Sequence, residues 1–269
     1  WVEPSDSIVS VESPILWQQN DNWYLAYAAV NEQAQSSILS QTSSDDGDTW
    51  SESTILIEPH DDWASIRVEP TDWILINETP TLIYAGTDDK TWEIGLSQWN
   101  GEFWSTTAEP WIELGRPGNW DDSGVRDAKF QIEDDGYRIW YSGFDGERWR
   151  IGSALQSSDI SLLNMTSDDW ERSDTSSLDS GWFHLDGARH PLPAYSDDAG
   201  QWFVYYGGIA ESVTRVGHAI GSSPKALRRI YRYPTLGDQI TFETTKGDAE
   251  GNTMPLETSV VDTTTFGIG

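Results

Sequence analysis

WYLAYAA (residues 23–29), PTLIYAG (residues 80–86), YRIWYSG (residues 137–143) and QWFVYYG (residues 201–207) are four copies of one short apolar strand that carries a Tyr. Tyr27, Tyr84, Tyr141 and Tyr206 recur about sixty residues apart, and the text on both sides recurs with them. Downstream of each copy lies a second strand: SILSQTSSDDGDTW (residues 37–50), EIGLSQWNGEFW (93–104), RIGSALQSSD (150–159) and RVGHAIGSS (215–223). Upstream lies a third: VESPILW (11–17), VEPTDWILI (68–76), VRDAKFQI (125–132) and ARHPLPAY (188–195). Turns rich in Asp, Asn and Gly, such as NDN and EDDG, join the upstream strand to the Tyr strand as a hairpin. A fourth strand is expected to end near Trp50, Trp104 or Trp170.

Period, strand count and scarcity of helical signals predict an all-β chain. The expected architecture is a five-bladed β-propeller with four-stranded antiparallel blades. One domain is expected over residues 1–269, with repeats at about 8–57, 64–110, 120–175 and 183–230. Residues 231–269 with the N-terminus are expected to make the closing blade. Only SPKALRRIYR (residues 223–232) suggests a helical turn.

Acidic residues number 45 against 16 basic ones, for a formal charge of −29. That balance repels phosphates and argues against a nucleic-acid partner or an anionic membrane surface. No stretch reaches the ~18 apolar residues of a membrane span, so membrane insertion is not expected. The acids spread through every repeat, and only four of the basic residues are Lys. This favours a solvated, high-salt surface over an acidic functional face, and predicts an extracellular or cell-surface protein of a halophile. With no Cys there are no disulfides or thiolate metal sites. His184, His190 and His218 show no metal-binding spacing, so no metal or cofactor is expected. A structural calcium ion is admissible from carboxylate density alone, without an EF-hand loop.

Alignment of the upstream strands on their Pro, or on Ala128 where Pro is missing, puts Ser13, Glu69, Asp127 and His190 at one position. Glu12, Arg126 and Arg189 precede it by one residue, and Arg67 lies two before Glu69. If these strands line a central channel, their first residues gather carboxylates, a His and three arginines at its mouth. Trp63, Trp120 and Trp182 lie in loops just before the upstream strands and are candidates for stacking on sugar rings.

The hairpin, the I-G-x-A strand and the Arg-Asp start of VRDA resemble the five-bladed propellers of glycoside hydrolase families 43, 32, 117 and 130, over roughly residues 8–230. The resemblance implies a carbohydrate-active protein acting on or binding an oligosaccharide or polysaccharide, an acidic one included. It implies a carboxylate on the first blade as base or nucleophile, another in an Arg-Asp-Pro triplet and an acid on a later blade, which is a His in family 117. Asp127 matches the triplet, Glu69 a second-blade carboxylate, and His190 the later acid. The first blade departs from the pattern, with Ser13 where Asp is expected and Glu12 beside it. Catalytic candidates are therefore Glu69, Asp127, His190 and Glu12, and substrate-binding candidates Arg67, Arg126, Arg189, Trp63, Trp120 and Trp182.

In this reading, crowded carboxylates raise one another's pKa and leave one protonated as the acid that glycoside cleavage needs. Two alternatives stand beside it. The charged groups could satisfy one another in a structural ion network, or the propeller could be a non-catalytic glycan- or receptor-recognition module of a cell-surface or viral protein. Ser43-Ser-Asp-Asp-Gly-Asp-Thr-Trp50 fits the Asp-box of sialidase-like propellers, a structural hairpin without catalytic role.

Overall fold

The computed structural model describes residues 8–133, 136–156, 162–179, 186–210 and 213–229, and four short strands beyond them. The chain divides into two compact units, Trp1–Arg229 and Ile230–Gly269.

In the first unit, β1 (Ile8–Gln19), β2 (Asn22–Asn31), β3 (Ser36–Ser43) and β4 (Thr54–Ile57) pair in order as an antiparallel blade. The second blade is β5 (Arg67–Ile76), β6 (Thr79–Thr87), β7 (Trp92–Trp99) and β8 (Trp104–Thr106). The third is β9 (Gly124–Glu133), β10 (Gly136–Phe144), β11 (Trp149–Gln156) and β12 (Glu171–Arg172). The fourth is β13 (Gly187–Ser196), β14 (Gln201–Ala210), β15 (Val213–Gly221) and β16 (Arg228–Arg229). The first strands β1, β5, β9 and β13 neighbour one another in turn, with the later strands stepping outward.

Four of the expected blades are thus present, each with four antiparallel strands. The expected closing blade falls on residues 231–269, which lie outside the described residues except for β17 (Gln239–Phe242), β18 (Thr245–Gly247), β19 (Thr253–Pro255) and β20 (Ser259–Asp262). There β17 pairs with β20 and β18 with β19, antiparallel. Helix in the first unit is limited to three short 3-10 turns among the described residues, one of them Pro224–Ala226 inside the stretch expected to turn. No helix among the described residues is long and apolar enough to cross a membrane.

Local chemistry explains the hairpins. Asn20 and Asp21 have φ of 50° and 63°, and Asn77 and Glu78 have 48° and 64°. Two consecutive left-handed residues are the two-residue turn whose twist matches its flanking strands, and Asn or Asp leads it at low steric cost. The Asp-box is the structural hairpin expected of it. Asp45 accepts from the Thr49 hydroxyl at 2.6 Å and the Thr49 amide at 2.9 Å, while Trp50 Nε1 donates to the Gly47 carbonyl. The Thr49 hydroxyl foremost, then the Thr49 amide and Ser43, lower the Asp45 pKa to about 2. One detail differs from expectation: Trp50, Trp104 and Trp170 stand before or at the start of the fourth strands, not at their ends.

Blades pack through apolar wedges. Between blades 2 and 3, Trp111, Phe130, Trp170, Ile94 and Ile139 are buried together. Between blades 1 and 2 the buried set is smaller, with Ala26, Ile38, Ile57, Leu82 and Tyr84 at its centre.

In every blade the first hairpin contains a register shift, and it decides which residues reach the site. On blades 1, 3 and 4 two residues, 13–14, 127–128 and 190–191, stand opposite one Tyr of the partner strand. The first of each pair is left-handed: φ is 51° at Ser13, 56° at Asp127 and 55° at His190. Blade 2 places the shift later. Pro70 faces Tyr84 and Thr71 is the extra residue, so Glu69 pairs with Ala85. An extra residue of this kind breaks the two-residue alternation of side chains. Adjacent residues such as Arg126 and Asp127 can then serve the same cluster.

Candidate functional site

The register corrects the alignment on Pro. Ser13, Asp127 and His190 are equivalent, but Glu69 is not their counterpart. Glu69 faces Ala85, as Glu12 faces Ala28, Arg126 faces Ser142 and Arg189 faces Gly207. The available signal was the distance from the aligned residue to the downstream Tyr, which is 15 residues in blade 2 against 14 in blades 1 and 3; blade 4, at 16, has a longer hairpin.

Each arginine reaches back to a carboxylate of the preceding blade. Arg67 on blade 2 donates through Nη2 to Glu12 at 2.6 Å, and also to Glu69 at 2.7 Å. Arg126 on blade 3 donates through Nη2 to Glu69 at 2.7 Å, and through Nε to Asp127 at 3.2 Å. Arg189 on blade 4 grips both oxygens of Asp127, at 3.0 and 3.1 Å. The two-pronged contact is the strongest form of this pair. Ser13 on blade 1 donates its hydroxyl to Glu69 at 2.9 Å. Glu12 is brought in despite its odd position, with Ser10 also bonded to it.

Burial grades the cluster. The side chains of Glu69 and Asp127 are 3% and 8% exposed, Glu12 42% and His190 59%. Burial raises the Asp127 pKa, but the His190 hydrogen bond and the charges of Arg126 and Arg189 outweigh it and hold the carboxyl well below the usual carboxylate range. Asp127 is therefore a fixed anion. The expectation that crowding leaves one carboxyl of the cluster protonated does not describe Asp127, whose neighbours are guanidinium groups as much as carboxylates. Glu69 already accepts from three donors: Ser13, Arg67 and Arg126.

His190 is held by its backbone, whose N–H donates to Ser142 Oγ at 3.1 Å, and by Nδ1, 3.3 Å from Asp127 Oδ1. Two aromatic floors lie beneath the arginines and were not anticipated. Arg126 sits 4.1 Å over the Trp92 ring and Arg189 4.6 Å over Trp149. Such cation–π contacts stabilise a guanidinium while holding its plane. Both Trp residues open the third strand of their blade in a shared W-x-I-G pattern, which was the available signal.

The loop tryptophans have another task. Trp120 is buried, lies stacked on Tyr141 and donates its indole N–H to the Ser173 carbonyl. Trp63 stacks on Tyr84 and donates to the Ala108 carbonyl. A Cβ added at Gly143 or Gly152 would stand 2.3 Å from the Trp120 ring, and at Gly86 or Gly95 2.6 Å from that of Trp63. The glycines exist so that the indoles can lie flat on the strands. Trp120 is thus taken into the blade, while Trp63 is half-buried with one face committed to Tyr84 and its strand. Trp182 lies outside the described residues. Among the described residues no group of three or more His, Asp or Glu side chains is arranged to hold a metal ion, so the calcium expectation finds no ligand set there.

No protein-family model and no curated protein matches the chain. Solved structures do match it. A glycoside hydrolase superposes with a TM-score of 0.67 at 12% identity, over 94% of this chain and 88% of that one. The fold is that of the propeller glycoside hydrolases. A family 117 glycoside hydrolase from the marine bacterium Zobellia galactanivorans gives 0.62 at 15% identity, over 88% of this chain and 74% of that one. An α-L-arabinofuranosidase from Lactobacillus brevis gives 0.62 at 12%, over 99% and 89%. The resemblance read from VRDA and the repeated hairpins therefore holds at the level of fold.

Proposed function

We propose that this protein is a glycan-binding propeller that recognises an oligosaccharide or polysaccharide where β1, β5, β9 and β13 begin, without cleaving it. One observation carries the reading: both buried carboxylates are consumed by interblade arginines, and the first blade offers Ser13 where a base would stand. Glycoside cleavage needs a protonated acid at the leaving oxygen and a base opposite. Asp127 is held as an anion, and Glu69 has its donors in place.

Recognition, by contrast, is well served. Nη1 of Arg67, Arg126 and Arg189 has no partner among the described residues, so each arginine keeps an N–H edge for sugar oxygens. Three arginines face Glu12, Glu69 and Asp127 and leave little net charge. Binding therefore runs through hydroxyls, and an acidic sugar would be met by those Nη1 edges. The wide spread of acids supports a high-salt, extracellular or cell-surface setting.

A glycan array in high salt, carrying neutral and uronate-bearing sugars, tests the reading. Wild type binds, and His190→Ala lowers affinity about tenfold, as expected for one lost polar contact. Affinity untouched by His190→Ala and by Trp149→Ala would sink it. A second reading has one observation in its favour: His190 is exposed and backed by Asp127, the arrangement of an orienting carboxylate behind a general acid. Release of reducing ends that disappears in His190→Ala would establish it.

A further inference from the structure

At the hairpin ends of blades 1 and 2, far along the strands from the arginine cluster, lies a groove of about 500 Å³. That volume falls within the ~300–1,000 Å³ of small-ligand sites. Trp17, Tyr24, Trp73, Trp99, Trp104 and Leu56 are among the residues that line it. Trp17 stacks on Tyr24 at 5.4 Å and on Trp73 at 4.8 Å, and Trp99 pairs with Trp104 across the β7–β8 hairpin at 6.0 Å.

The register explains why the groove is open. Ile38 pairs with Ile57, and Ile94 bridges Ile112, so Leu56 occupies on blade 1 the place of Trp111 on blade 2. By the same correspondence Trp73 matches Phe130, and Trp104 matches Trp170. Between blades 2 and 3 all three positions are filled and touch: Trp111 meets Trp170 at 4.9 Å and Phe130 at 5.7 Å. Between blades 1 and 2 the smaller Leu56 leaves the aromatic walls without their plug.

The lining also says what fits. In a chain with 45 acidic residues, no charged side chain among the described residues lines this groove. Its polar groups are the hydroxyls and amide of Ser40, Thr42, Thr54 and Gln19. The indole N–H groups of Trp17 and Trp73 are buried with no acceptor among the described residues. A ring with apolar C–H faces and polar edges matches aromatic walls of this kind.

We propose that this groove is a second glycan site that takes an uncharged pyranose ring of a neutral oligosaccharide. It is independent of the arginine cluster. The test is titration of the full chain in high salt with cellohexaose, xylohexaose and mannohexaose, read by tryptophan fluorescence and saturation-transfer NMR. At least one of the three binds wild type, and Leu56→Trp, which plugs the groove, lowers that affinity about tenfold or more. Trp99→Ala does the same from the rim, so the result does not depend on one variant's folding. His190→Ala, which acts on the other end of the blades, leaves this component in place. Three results would overturn the proposal: no binding of any of the three sugars, binding indifferent to both groove variants, or groove variants that alter only self-association in light scattering.

Discussion

The wedge between blades 1 and 2 and the wedge between blades 2 and 3 are built on one plan and finished differently. At the arginine end they match: Arg67 crosses to Glu12 in the first and Arg126 to Glu69 in the second. At the hairpin end they diverge, because Leu56 stands where Trp111 stands. The difference teaches that a propeller can hold its blades from one end and leave the other free. Where Trp111, Phe130 and Trp170 interlock, the wedge is core. Where Leu56 stands instead, the same aromatic positions line an open groove, the proposed second glycan site.

The largest effect expected from this comparison is on packing. Trp111→Ala should cost about 3–5 kcal/mol in denaturant unfolding, because it empties a closed, fully buried site. Leu56→Ala should cost less than half of that, since its groove is already open. Equal losses would break the comparison.

The arginine end should show a smaller contrast. Arg126→Ala leaves Glu69 and Asp127 short of a partner in burial, a loss of about 3 kcal/mol. Arg67→Ala should cost less, because one of its partners, Glu12, is largely solvated. A double-mutant cycle between Arg126 and Glu69, measured against one between Arg67 and Glu12, would show whether the first coupling is the stronger.

The smallest effect is electrostatic and concerns Glu93 on β7. Burial foremost, then the charges of Glu113 and Asp88, raise the Glu93 pKa from 4.5 to about 7. A carboxyl raised on folding binds its proton more tightly in the native state. Its stabilising contribution is therefore full below about pH 4.5 and is lost as pH rises through 7. Glu93→Gln should flatten that part of the stability profile by on the order of 1 kcal/mol, after allowance for solvent screening. An unchanged slope between about pH 5 and 8 would contradict the raised pKa of Glu93.

Much of this was legible before any coordinates. The Tyr strands announce the blades, and the VRDA start points to the cluster, because strand alternation and turn chemistry are local properties. What was illegible depends on register. Pro14 and Pro191 follow a left-handed residue, whereas Pro70 stands directly opposite Tyr84 with Thr71 as the extra residue. Matching prolines therefore put Glu69 one place out. The loop tryptophans show a second limit. Trp63 and Trp120 read as free rings until the glycine pairs beneath them are seen as the floor on which they lie. Trp92 and Trp149 were missed because a Trp at the start of a strand reads as core, and only the arginines above show its second role.

In the proposed function, a propeller with the fold of glycoside hydrolases holds sugar at an arginine-tied cluster and does not cut it. The direct test is to take the oligosaccharide that binds best on the array and incubate it with wild type in high salt across pH 4 to 9, the span in which carboxyl and imidazole acids titrate. Binding is followed by NMR and reducing ends by chemical assay on the same sample. The account predicts saturable binding with no reducing ends above the protein-free control. Reducing ends that accumulate with time, and vanish in His190→Ala, would contradict it.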